Sequence, residues 1–79
     1  MTRQEIIERT NAFLIGTLDI EPSLIAPDTE LKRDIGITSV DAVAIATFIK
    51  STFGCAIVMR ELKAIVTLND LYNYIEQHN

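Results

Sequence analysis

Residues 38–54 read Thr38-Ser39-Val40-Asp41-Ala42-Val43-Ala44-Ile45-Ala46-Thr47-Phe48-Ile49-Lys50-Ser51-Thr52-Phe53-Gly54. Both ends of a helix are written into this stretch. Thr38 followed three residues later by Asp41 is a start signal: the hydroxyl accepts from a backbone N–H of the first turn, and the acid reaches back. Phe53-Gly54 is a stop, because glycine adopts left-handed backbone without steric cost. At about 100° per residue, Ala42, Ile45, Ile49, Thr52 and Phe53 fall together, with Ala46 on the flank. That is the expected buried stripe. The opposite side holds Val40, Val43, Ala44, Thr47, Lys50 and Ser51, with Lys50 the single charge. Isolated exposed apolar side chains are ordinary on any surface, whereas a contiguous group of them marks a docking patch; both readings stand. Ser39 follows the cap. Serine is common at helix starts, but a phosphate placed there would meet unpaired N–H groups and the positive end of the helix dipole.

Three further helices flank this one. Thr2 and Glu5 form a second capping pattern, followed by Ile6, Ile7, Thr10, Phe13, Leu14 and Leu18 at helical spacing; Gly16 loosens or ends that helix. Residues 19–37 carry Pro22, Pro27 and Gly36 and no sustained period, so they read as a long loop pinned by Leu24, Ile25, Leu31 and Ile35. Loops of this length in small domains are uncommon and often functional. A short helix is expected over Met59–Ala64. The last begins at Thr67…Asp70 with an apolar face of Leu68, Leu71, Tyr72 and Ile75. Ala56-Ile57-Val58 has β character but is too short to pair alone. The fold class is all-α: one domain over residues 1–79, a small four-helix bundle with three longer helices, one short helix and a long loop between the first two.

The 79 residues are 48% hydrophobic and 23% charged, with a formal charge of −4. The size leaves little core for a catalytic cavity. One cysteine, Cys55, and one histidine, His78, can make neither an internal disulfide nor a four-ligand zinc site. Cys55 reads as a small buried apolar residue, and Tyr72 and Tyr74 as core and rim packing. No Gly-rich phosphate loop is present, and Ser39 has no candidate base, so catalytic residues and metal ligands are both assigned as none. The seven basic residues are scattered, which argues against nucleic acid. No apolar run reaches the roughly 18–20 residues of a membrane span. The N-terminus does not read as a secretory signal, so a cytoplasmic monomer is expected. Residues 1–37 hold four cations and seven acids, a balance of −3; residues 38–79 hold three and four, a balance of −1.

The stretch Asp34-Ile35-Gly36-Ile37-Thr38-Ser39-Val40 resembles the Asp-Leu-Gly-x-Asp-Ser-Leu signature of acyl carrier proteins. The match runs without gaps through Phe53, Ile57, Ile65, Leu68, Tyr74 and Ile75, and the Pro22…Pro27-Asp28-Thr29…Leu31 loop and opening helix also look like that family. The resemblance therefore covers essentially the whole chain. It implies that Ser39 is esterified with 4′-phosphopantetheine from coenzyme A by a separate phosphopantetheinyl transferase. The arm's thiol would carry acyl groups as thioesters among acyl-loading, ketosynthase-type or acyltransferase enzymes of fatty-acid, polyketide or polyene-type synthesis. By position, it also implies a pocket around Ala46, Ile49, Ile57, Leu62, Ile65 and Tyr74. Partner contacts would fall at Val40, Val43, Ala44, Thr47 and Arg60.

The chain departs from the family pattern at telling places. Thr38 stands where the family usually has Asp; it can cap the helix but cannot help hold a transferase's Mg²⁺ as a carboxylate could. Val40 replaces the usual Leu. Ala44, Lys50 and Ser51 occupy positions that often carry acid, so partner docking is expected to be more apolar and less electrostatically steered. An aminoacyl, peptidyl or D-alanyl carrier, or an unmodified helical adaptor of the same shape, are the alternatives.

Overall fold

The computed structural model describes residues 1–78 and contains four α-helices: α1 (Arg3–Gly16), α2 (Ser39–Phe53), α3 (Met59–Ala64) and α4 (Leu68–His78). Among the described residues there is no β-strand, so the expected all-α bundle is the observed architecture.

All three longer helices open on reciprocal capping boxes. Thr2 caps α1 with Glu5, Thr38 caps α2 with Asp41, and Thr67 and Asp70 exchange N–H···O bonds of 3.1 Å at the start of α4. Each box satisfies amides that a helix start would otherwise leave unpaired. At the far end of α2, Gly54 takes φ +69° and its N–H donates to the Lys50 carbonyl at 3.0 Å. An L side chain is disfavoured in that conformation, which is why the chain uses glycine here.

The core combines Ile6 and Leu14 of α1, Ile45, Ile49 and Phe53 of α2, Leu62 of α3, and Leu68, Leu71, Tyr72 and Ile75 of α4, all buried. The expected faces of α1, α2 and α4 therefore point inward. Phe48 lies outside the stripe marked on the sequence, yet it stacks on Phe13 at a centroid distance of 4.3 Å and meets Phe53 edge-on at 5.6 Å. The size of its ring lets it reach the core from the flank. Tyr72 donates its hydroxyl to Asn11 Oδ1, which pairs the one polar group this ring buries. Cys55 is buried beside the core as expected, and burial pushes its thiol pKa up.

Two expectations are corrected. Leu18 is not helical: α1 ends at Gly16 and the chain turns through Asp19 at φ +57°, although Leu18 still packs against the core. Leu24 does not pin the loop, for its side chain is 47% exposed. It lies in a 3-10 turn (Pro22–Leu24) and is held by its backbone, whose carbonyl accepts from the buried Thr29 hydroxyl at 2.6 Å. Ala56-Ile57-Val58 forms no extended pairing, as its length implied, and among the described residues an isolated antiparallel bridge joins Glu30 to Thr67. There Leu31 N–H donates to Val66 O and Leu68 N–H to Thr29 O, both at 2.9 Å, tying the long loop to the start of α4. His78 is the last residue of α4, and its ring stacks on Tyr74 at 4.1 Å.

Candidate functional site

The loop before α2 is wound rather than slack. Asp34 N–H donates to the Glu30 carbonyl, and the Asp34 carboxylate accepts from Glu30 N–H at 2.8 Å and from Arg33 Nε at 3.0 Å. The hydrogen bond from Arg33, followed by that from the Glu30 amide, holds the Asp34 carboxyl below its ordinary pKa. Gly36 then turns the chain at φ +65°, and Ile37 N–H returns to the Leu31 carbonyl at 2.9 Å. Thr38 is extended (φ −92°, ψ 175°), and its hydroxyl accepts from Asp41 N–H at 3.2 Å while its own N–H donates to Asp41 Oδ2 at 3.1 Å. Capping is thus done by Thr38, which leaves the hydroxyl of Ser39, the first residue of α2, uncommitted and exposed.

Ser39 stands at the mouth of a cavity of about 240 Å³. Buried Leu31, Ile45 and Leu62 form its floor, and half-buried Ile37, Ala42, Met59 and Ile65 its walls. Exposed Lys32, Thr38, Ser39 and Lys63 ring the opening. An apolar cavity of about 150 Å³ is large enough for a benzene ring, so this one has room for a short hydrocarbon segment. Of the six pocket positions implied by the resemblance, Leu62 and Ile65 line this cavity. Ile49 is fully buried in the core, Ala46 and Ile57 are half-buried, and Tyr74 packs under His78; these four lie outside its lining. Lys32 and Lys63, at the mouth, carry no sequence signal that marks them. They meet only because the loop, α2 and α3 converge there.

The outer face of α2 exposes Val40 (78%) and Val43 (55%), with Thr47 also in solvent. Ala44 is half-buried rather than outward: about 100° from Ile45, it sits at the boundary between the faces. Thr47 donates its hydroxyl to the Val43 carbonyl at 3.0 Å and Ser51 to that of Thr47 at 2.9 Å. With those hydroxyls turned onto their own helix, the face presented outward is less polar than its composition. Arg60 is exposed on α3.

A second cavity of about 230 Å³ lies between α1, α4 and residues 25–27. Its polar side chains are already bonded: Arg3 donates to Asn69 at 2.7 Å and, outside the lining, to Asn73 at 2.8 Å, and Tyr72 donates to Asn11. Among the described residues no group of three or more His, Cys, Asp or Glu could hold a metal ion, and no helix is long and apolar enough to cross a membrane.

The family described as phosphopantetheine attachment site matches residues 12–75. An acyl carrier protein of Phytoplasma mali is 30% identical over 73 residues, covering 92% of this chain and 87% of its own. That of Thermotoga maritima is 28% identical, covering 96% and 94%, and that of Thermosynechococcus vestitus 25%, covering 95% and 93%. The signature around Ser39, the four-helix architecture and these full-length similarities converge: the chain belongs to the acyl carrier protein family, whose members bear a phosphopantetheine attachment site.

Proposed function

We propose that Ser39 is the residue to which 4′-phosphopantetheine is joined and that the protein carries acyl groups on that arm. The observation behind this reading is the exposed, uncommitted hydroxyl of Ser39 at the start of a capped helix, on the rim of an apolar cavity. The group fits the residues present: a phosphodiester would lie at the positive end of α2, and apolar atoms beyond it would find the walls formed by Ala42, Ile45 and Ile65. Once bound, the arm supplies a terminal thiol that holds an acyl group as a thioester.

The chain's own residues present and protect. Thr38 and Asp41 fix the direction of the first turn, and with it the direction of Ser39. Leu31, Ile45 and Leu62 keep water from whatever enters the cavity. Val40, Val43, Thr47 and Arg60 offer the contact surface to a phosphopantetheinyl transferase and to acyl-loading, ketosynthase-type or acyltransferase enzymes. The chain itself is a carrier and not a catalyst, and a reduced cytoplasmic setting suits its free, buried Cys55.

The test is intact mass after incubation with coenzyme A and a broad-specificity transferase. One phosphopantetheinyl group is expected on the wild type and none on Ser39→Ala. An unmodified wild type with several transferases, or a modified Ser39→Ala, overturns the assignment.

A further inference from the structure

Every charged residue that lines the Ser39 cavity is a cation. Lys32 comes from the loop before α2 and Lys63 from α3, so they reach the opening from two different elements, with Ser39 on a third. Both are exposed residues that line the cavity, and a lysine so placed lays its apolar stem on the wall while its ammonium group keeps to water. Among the described residues neither lies within 4.0 Å of a carboxylate oxygen. Asp41 is engaged in the cap of α2, and Asp34 and Glu30 with Arg33. Two unpaired ammonium groups beside an apolar cavity, on a chain of net charge −4, are a local reversal of its overall sign.

We propose that Lys32 and Lys63 hold the phosphodiester of the arm on Ser39 and so lay the arm across the cavity mouth rather than out into solvent. This rests on the Ser39 assignment above. A phosphodiester keeps its negative charge at every physiological pH, and an ammonium group binds it as a compact point charge. The apolar walls give the remaining atoms a surface to cover, so charge and burial act in the same direction. The two lysines are positioning residues and take no part in any bond made or broken.

The experiment uses protein loaded from coenzyme A, with loading confirmed by intact mass, so that failure of the Ser39 assignment is seen separately as absence of the added mass. Lys32→Gln, Lys63→Gln and the double variant are compared with wild type, their unmodified forms serving as fold controls. Methyl resonances of Leu31, Leu62 and Ile65 are expected to shift on loading of the wild type, and most of that shift should vanish in the double variant. The phosphorus resonance of loaded wild type should move toward its value in the double variant as sodium chloride rises to 1 M, where screening acts over about 3 Å. The double variant should show little salt response. Equal methyl shifts on loading in wild type and double variant overturn the proposal, as does a loaded wild type whose cavity methyls do not move. An effect of the substitutions confined to transfer by a partner enzyme, with phosphorus and methyl signals unchanged, also overturns it and assigns the lysines to docking.

Discussion

Thr10 sits in the middle of α1 at 2% exposure, and its hydroxyl has no hydrogen-bond partner. A buried unpaired hydroxyl costs about 1–3 kcal/mol, and an apolar replacement of the same shape removes that cost. Thr10→Val is therefore expected to stabilise the fold by about 1 kcal/mol, raising the thermal midpoint by roughly 4–8 °C for a domain of this size. A lower midpoint would mean that the hydroxyl finds a partner in solution. Ile49, fully buried, gives the opposite result: Ile49→Ala should cost about 2–5 kcal/mol in denaturant unfolding. Both positions were legible from helical phase, because a residue's angle on a helix decides what it faces. Leu24 was not legible. Its apolar side chain suggested burial, but the local constraint is a backbone carbonyl bonded by Thr29, and such a bond leaves no mark on residue type.

The elements were the most readable level, since their boundaries depend on four-residue signals. The boxes at Thr2, Thr38 and Thr67 all form, and the short α3 spans the expected Met59–Ala64 without a side-chain cap. The bridge from Glu30 to Thr67 was invisible because its partners lie far apart in sequence, and the β-branched Ile65-Val66-Thr67 is too short to signal a strand by itself. Removing the cap of α2 with Thr38→Ala should cost about 1 kcal/mol, whereas Thr38→Asp should keep stability, since Asp caps equally well. A loss as large for Asp as for Ala in thermal unfolding would show that the threonine methyl matters more than the cap. On the outer face of α2, Val40→Asp and Val43→Asp should leave stability within about 0.5 kcal/mol, as exposed substitutions do, while slowing acyl transfer with a partner enzyme. Unchanged transfer rates with folded variants would remove this face from the docking surface.

At the scale of the whole molecule, the cavity was only partly legible: Leu62 and Ile65 line it, but its mouth depends on how the loop, α2 and α3 converge. The charge pattern carries a pH consequence. Asp34 and Asp70 are both held below the ordinary carboxylate pKa, Asp34 chiefly by the Arg33 hydrogen bond and Asp70 chiefly by the Thr67 amide. A carboxyl depressed in the folded state contributes stability above its unfolded pKa, near 3.9, and loses it as pH falls through the folded value. Thermal midpoints should therefore decline below about pH 4, and Asp70→Ala should show a shallower decline than wild type; parallel curves would discount the Asp70 contribution. Both groups are exposed, so each contribution is small. The three capping boxes have one further consequence. Each fixes where a helix begins using residues at its own start, without help from the outward positions further along. The outward positions of α2 can therefore be exchanged without moving the start of the helix, so the face the helix presents and the direction in which Ser39 leaves it are set by different residues.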